Sequence, residues 1–571
     1  MKIVANLVVI LAAAVALFGS TCITELSPET DPCSSFIVQA SSAQVAADAV
    51  RGAGGQVTHD LWIINAVGAK LTAAQRQTVD EQEGIRVVES GVLQVSGKPT
   101  PIEPEIVPLV PELVQADRLH SQGVTGLRVG IALLDSGSHS HVALNKDTQS
   151  WWRHIAQYDA ITDTLVASLP VTEILKKTDG TGVFDTDDNG HGSHVASVAL
   201  SSVNLDRRNP RYEGIAPDSY LISVRAFDQN GAGSYADVIR GIQWIVDNKD
   251  VYGIRVVNCS FSAKPRSFYY DDPLNQAVMQ AWRSGLVVVA SAGNGGPDPL
   301  SIGVPGNVPY VITVGAMTDN YTSDPTDDRL ASFSASGPTH AGFVKPDLLA
   351  PGGHVRGLVR ADMTIAVEHP EFHDGGAYFI MSGTSQATAA VSGIVGLMLQ
   401  ADPTLEPDEV KYRLMAAAHR AEDGAGGPGY SILQQGAGMV NAYDAVFSGA
   451  SGVANGGLDI EADLAGTAHF AGPVGQRTDG TFYVGDLTGD GYSWDGSYSR
   501  ETAILWSDAI LWSDAILWSD AILWSDAILW SDAILWSDAI LWSDAILWSD
   551  AILWSDTLTE PASINLWVPQ E

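Results

Sequence analysis

The stretch LRVGIALLDSG, residues 127–137, decides the fold. Its apolar residues do not alternate with polar ones. They run from Val129 to Leu134 and stop at Asp135, where Ser136 and Gly137 supply a turn. A strand with one wet face alternates, whereas an uninterrupted apolar strand is buried on both faces, the habit of parallel sheets. The same signature recurs in YLISVRAF (220–227), IRVVNCSFS (254–262), LVVVASAGN (286–294) and YVITVGA (310–316). Between these runs lie helical patterns such as DVIRGIQWIVDNK (237–249), PLNQAVMQAWRSG (273–285) and TSQATAAVSGIVGLMLQ (384–400). Strands alternating with helices predict an α/β domain over 111–447, a mostly parallel sheet with helices on both faces. Chemistry in such sheets gathers at the carboxyl ends of the strands, so the residues that follow each strand carry the interest.

Outward from this core the chain changes character. Lys2 precedes an apolar run, Ile3 to Phe18, and small residues follow at Gly19–Thr21. This is the pattern of a secretory signal peptide, assigned to 1–22, and the run is short for a membrane span. Thr21 before Cys22 fits a lipid-anchoring site poorly, so a secreted, extracellular protein is expected, with cell-surface association left to the tail. Residues 23–98 hold strand-like runs at Phe36–Gln39, Leu61–Val67 and Ile85–Glu89 around two helical patterns, the second Thr72–Glu83. They predict a small α+β domain. A linker, 99–110, follows; KPTPIEPEIVPLVPE carries five prolines and reads as extended.

The 571 residues carry a formal charge of −36, which excludes nucleic acid as a partner, since phosphate recognition needs clustered Lys and Arg. From Ala450 onward, 19 acids face only Arg477 and Arg500. This tail comprises an acidic Gly-rich linker region (448–502), nine perfect AILWSD repeats (503–556) and a terminal segment (557–571). A period of six keeps strand faces in register but scatters Trp around a helix, so the repeat predicts short strands. Its Trp array suits binding to a surface or polymer; recent tandem duplication without function explains the identity of the copies equally well. Of three cysteines, Cys22 either leaves with the leader or stays to pair with Cys33, and Cys259 reads as a core residue.

Three strand ends or helix starts bear reactive side chains. Asp135 closes the first strand, His191 opens the helix in DDNGHGSHVASVAL (187–200), and Ser385 opens another in SGTSQATA (382–389). An acid, an imidazole and a hydroxyl so placed can serve as orienting group, base and nucleophile. Taken singly, each has a plainer reading as a turn residue, a common histidine or a helix cap.

The segments around them narrow the choice. ALLDSG, HGSHVAS and SGTSQATA, in the order Asp, His, Ser, resemble the matching blocks of the subtilisin-like serine peptidases, the subtilases. So do GIAPDSYLISVRAFDQNGAGSYADVIRGIQW, VVNCSFS, VVVASAGNGG, VPGNVPYVITVGA, ASFSASGP and KPDLLAPGG, and YYDDPLNQAVMQAWRSGLVVVASAGNGGP is most similar to the AprX-like branch. The resemblance implies a secreted serine endopeptidase in which Asp135 orients His191, His191 is general base and acid, and Ser385 attacks. It makes Asn294 the side-chain donor to the oxyanion, helped by the Ser385 amide and the Thr384 hydroxyl. It makes residues 23–98 an inhibitory propeptide, so that the protein is its own first inhibitor.

Protein or peptide substrates would then lie extended against Ala232-Gly233-Ser234 and Ser260-Phe261-Ser262. Their residue before the cut would enter a pocket of Ser291, Ala292 and Gly293 with its floor near Gly303. None of these is charged, so bulky apolar residues are the expected preference. Departures from the family pattern are Gln386–Ala390, where Ala389 stands in place of a helix-kinking proline, and Ser262 and Ala263, where glycines are usual.

No cofactor is required by this chemistry. Calcium is possible, since secreted subtilases often bind it, but Asp185, Asp187 and Asp188 read as a solvated acidic turn. The Asp486–Gly491 loop lacks the glutamate a calcium loop wants at its twelfth position, Ser497, so no metal ligand is assigned. The competing class is an inert subtilase scaffold with the tail as its working part; the presence of Asp135, His191, Asn294 and Ser385 together argues against it.

Overall fold

The protein is described by a computed structural model covering residues 34–95, 98–99, 109–172, 185–206, 208, 210–320, 322, 327–421, 429–477, 480 and 482–484. The expected leader, Cys22, Cys33, the Asp486–Gly491 loop and the repeats lie outside the described residues. The chain divides into two units, one running to Gly91 and including Tyr235–Arg240, the other holding the rest of the chain from Val92 onward.

The first unit is a four-stranded antiparallel sheet in the order β2-β3-β1-β4, with β1 Ser34–Gln39, β2 Gln56–Leu61, β3 Ala66–Leu71 and β4 Arg86–Glu89. Helices Ala43–Gly52 and Ala73–Asp80 accompany it. Ala46, Ala47 and Val50 of the first helix join Phe36, Val38, Val67, Ala69 and Leu71 of the sheet in one core, where small alanines let the helix lie close. The second helix starts with a capping box: the Thr72 hydroxyl accepts from the Gln75 amide at 3.3 Å, and the Gln75 side chain accepts from the Thr72 amide at 2.9 Å. One difference from the sequence reading is instructive. Leu61–Val67 is not one strand: β2 ends at Leu61, a single 3-10 turn covers Trp62–Ile64, and Asn65 turns the chain at φ 53° into β3. The apolar Trp-Ile-Ile hid a turn whose signal was the asparagine, a residue that tolerates the left-handed region.

The second unit is built on a nine-stranded sheet of order β16-β15-β14-β12-β7-β10-β8-β9, with β17 beside β15. Its strands are β7 Gly130–Asp135, β8 His154–Asp159, β9 Thr164–Ser168, β10 Tyr220–Arg225, β12 Ile254–Cys259, β14 Val287–Ser291, β15 Ile312–Thr318, β16 Arg329–Leu330 and β17 Leu348–Pro351. All pairings are parallel except β8–β9 and β15–β16, so the sheet is mixed only at its margins. Every residue of β7 is buried, as its unbroken apolar run required. The helices His191–Leu200 and Thr384–Ala401 pack on one another, and the second also lies against β12, β14 and β15. Its small residues permit the approach to the first helix: a side chain at Gly393 would lie 3.1 Å from the Ala199 carbonyl.

Three short sheets complete this unit. β5 Val92–Val95 lies between β11 Ala232–Ser234 and β13 Phe261–Ser262, antiparallel to both, while β6 Lys98–Pro99 pairs with β19 Tyr378–Ser382, whose other neighbour is β18 Val355–Leu358. β20 Val474–Gln476 and β21 Phe482–Val484 form a hairpin within the span expected to be a linker. That span also holds the helix Ile460–Leu464, which packs on the helix Pro273–Arg283. Asp463 anchors it: one carboxylate oxygen accepts from the hydroxyls of Tyr269 at 2.6 Å and Tyr310 at 3.0 Å, the other lies 2.7 Å from His469 Nδ1.

Candidate active site

Asp135 sits at the carboxyl end of β7 and is fully buried. Its Oδ1 accepts from the following amide, Ser136 N, at 2.8 Å, which fixes the carboxylate. The same oxygen lies 2.8 Å from His191 Nδ1. A carboxylate only accepts, so Nδ1 carries the proton and Nε2 is left with the lone pair a base needs. His191 is the first residue of its helix and is itself buried. Gly190, at φ 107°, makes the turn into that helix, a conformation other residues rarely take.

Ser385 is the second residue of the helix Thr384–Ala401 and follows Gly383 at the end of β19. It is fully buried, and its hydroxyl donates to the Ser260 carbonyl at 2.9 Å; the Ser260 hydroxyl donates back to the Ser385 carbonyl at 2.9 Å. Behind Ser260 the chain of bonds continues through Asn258 to Ser392, about two turns deeper in the nucleophile's helix. β12 and the helix are thus tied by buried polar groups that satisfy each other.

Asn294 reaches the same helix start. Its Oδ1 accepts from the Thr384 amide at 3.0 Å and from the Thr384 hydroxyl at 2.8 Å, which holds the amide plane and reserves the Nδ2 donors for another acceptor. Thr384 Oγ1 also accepts from Gly293 N at 3.3 Å. A fixed amide beside a helix N-terminus is suited to developing negative charge.

The strands expected to cradle a substrate are β11 and β13, and between them lies β5 of the protein's own chain. Leu93 stands opposite Gly233, Gln94 opposite Ala232 and Ser262, and Val95 opposite Phe261. Beyond, Lys98 is paired with Ser382, three residues before Ser385. The pocket residues are also brought together. Ser291 Oγ donates to Phe261 O at 2.8 Å, and Ala263 and Val304 exchange backbone bonds that brace Gly303. The Ser262 hydroxyl points at this floor: a side chain at Gly303 would meet it at 1.8 Å and one at Gly293 at 2.9 Å.

The acidic turn differs from its sequence reading at one position. Asp188 is exposed and Asp185 pairs with Arg360 at 2.6 Å, but Asp187 is buried. Among the described residues no group of three acidic, His or Cys side chains could hold a metal ion, and no helix is long and apolar enough to cross a membrane. Burial raises the Cys259 thiol far above its ordinary range, in keeping with a neutral core residue. Burial also depresses the other histidines nearby, His139 to about 4 and His194 to about 3.

Comparison with known proteins identifies the family to which the chain is similar. The profile of the Subtilase family, Peptidase S8, matches residues 126–439. Serine protease AprX of Bacillus subtilis (strain 168) is 37% identical over 332 residues, covering 57% of this chain and 68% of that protein. Subtilisin E of the same organism is 28% identical over 384 residues, covering 67% and 82% respectively. Among solved structures, fervidolysin from Fervidobacterium pennivorans, a keratinolytic enzyme related to subtilisin, has a TM-score of 0.56 at 22% identity. That match covers 74% of this chain and spans 62% of fervidolysin, a likeness of fold.

Proposed function

The chain belongs to the subtilase family of serine proteases, and from that premise we propose that it is a secreted endopeptidase made as a latent precursor, with Asp135, His191 and Ser385 as its triad. The observation that carries the reading is β5. A peptide segment already lies extended between β11 and β13, and β13 directly follows Ser260, whose hydroxyl donates to the Ser385 carbonyl. Strand addition of this kind supplies affinity through the main chain and leaves side-chain pockets to select. The occupant here is the chain's own residues 92–95, which supports a precursor held inactive by its propeptide.

In catalysis the Ser385 hydroxyl turns from the Ser260 carbonyl to His191 Nε2. Its oxygen attacks the scissile carbonyl while Nε2 takes the proton. Asp135 steadies the imidazolium. The oxyanion receives hydrogen bonds from Asn294 Nδ2 and the Ser385 amide. His191 then protonates the leaving amine, and a water molecule, deprotonated by the same base, releases the acyl group from Ser385. The uncharged lining of Ser291, Ala292, Gly293 and Gly303 favours uncharged, bulky apolar residues before the cut.

The test is hydrolysis of casein by the purified protein, with and without a serine-directed inhibitor, beside Ser385→Ala. Activity that the inhibitor and the substitution both abolish is expected. Equal activity in wild type and variant would sink the mechanism.

A further inference from the structure

Asp187 is 1% exposed and forms no ion pair among the described residues, yet its carboxylate collects five hydrogen bonds. Oδ1 accepts from the Ser136 hydroxyl at 2.9 Å, the Asn189 amide at 3.0 Å and the Gly190 amide at 2.8 Å. Oδ2 accepts from the Ser193 amide at 2.8 Å and the Ser193 hydroxyl at 2.6 Å. A buried charge survives only where dipoles replace the water it lost, and here all five come from the two segments that carry Asp135 and His191.

The bonds form a bridge. Ser136 follows the triad acid directly, and its amide donates to Asp135 Oδ1 at 2.8 Å. Its hydroxyl donates to Asp187 and accepts from the Gly192 amide at 2.9 Å, the residue after His191. The helix that starts at His191 has no side-chain cap from its own Ncap, which is Gly190. Its first three amides are instead satisfied by Asn189 Oδ1 at 3.1 Å, Ser136 Oγ and Asp187 Oδ2. The loop, the end of β7 and the helix start are therefore locked to one another through one carboxylate. The space is closed on the other side too, since a side chain at Gly192 would lie 2.2 Å from the Gly137 carbonyl.

We propose that Asp187 is a positioning residue for the peptidase reaction: through Ser136 it sets the Asp135–His191 geometry and so the aim of His191 Nε2. The proposal rests on the peptidase reading above. It touches neither substrate nor the reacting atoms, so its loss should appear in turnover rather than in binding. Misplacement of a catalytic group by about 1 Å costs on the order of 100-fold in rate.

The experiment is steady-state hydrolysis of a chromogenic peptide amide by the full chain carrying Asp187→Asn, Ser136→Ala or both, with enzyme concentration set by active-site titration. Thermal unfolding of the same substitutions is measured on the Ser385→Ala background. Asp187→Asn is expected to lower kcat roughly 10- to 100-fold with KM within about twofold, and Ser136→Ala roughly 3- to 10-fold. The double variant should be no slower than Asp187→Asn, because both act through one bridge. Normal kcat in Ser136→Ala, losses that multiply in the double variant, or KM rising in step with lost kcat would overturn the assignment. Should Asp187→Asn fail to fold, Ser136→Ala alone still decides. If wild-type activity persists in Ser385→Ala, the peptidase reading falls instead, and the two failures are told apart.

Discussion

At Ser262 a single hydroxyl bears on the size of the proposed pocket. The sequence already marks Ser262 as standing where a glycine is usual, a change that narrows the expected cleft, and the structure aims its hydroxyl at Gly303. With the Ser262 hydroxyl 1.8 Å from where a Gly303 side chain would begin, part of that room is already filled. Ser262→Gly is expected to raise kcat/KM for Phe over Ala before the cut by roughly 10-fold, since a few atoms in such a pocket are worth about 1–3 kcal/mol. A peptide-library profile of the two proteins measures this; an unchanged Phe-to-Ala ratio would place the pocket elsewhere. The proposed role of Asn294 at the oxyanion is tested at the same residue level. Asn294 Oδ1 accepts from the Thr384 amide and hydroxyl, so Asn294→Ala removes one preorganised donor and also deprives the helix start of that acceptor. A fall in kcat of about 100- to 1,000-fold with little change in KM is expected, read by steady-state kinetics.

At the scale of elements, the parallel strands were legible because burial on both faces writes itself into composition, and the proposed triad stood out because its residues close strands or open helices. What escaped the sequence depends on long-range partners. Asp187 and Asp188 are neighbours of the same type, and only the fold decides that one is wrapped in amides and the other faces water. The pairing of β5 was invisible for a related reason: a strand added to two others from distant parts of the chain has no local signature beyond its apolar residues. That pairing yields a prediction. With Val95 opposite Phe261 and Lys98 opposite Ser382, the proposed precursor is expected to cut itself after Val95 and before Lys98. N-terminal sequencing of the mature protein is expected to start at residue 96, 97 or 98, and Ser385→Ala should stay full length. A mature end beyond 99 would mean that β5 and β6 do not mark the cut.

At the scale of the whole molecule, the buried histidines set the response to acid. Burial holds His139 near 4, His194 near 3 and His154 well below its ordinary 6.5. Unfolded, each would bind a proton near 6.5; folded, each stays neutral to lower pH. The unfolded chain therefore binds more protons in this window, so their contribution is fully present above 6.5 and is lost as pH falls toward 4, on the order of 1 kcal/mol per histidine per pH unit. Unfolding of Ser385→Ala, which cannot digest itself, should move to lower urea between pH 7 and 5. A flat midpoint across that range would contradict the burial.

The folded body also has an end that truncation can locate. Cutting after Phe447 removes Asp463 and strands the Tyr269 and Tyr310 hydroxyls, both buried. It also removes Asn455, which accepts from Lys411 and donates to Asp408. Orphaned buried donors cost about 1–3 kcal/mol each, enough together to consume much of a domain's stability. A chain ending at 502 keeps every one of these contacts and loses only the repeats and the terminal segment. It is expected to match the full chain in casein hydrolysis and melting temperature, while one ending at 447 melts far lower or fails to fold. Equal melting of both truncations would mean that the Ile460–Leu464 helix is a passenger, and lost activity at 502 would bring the AILWSD repeats into the chemistry.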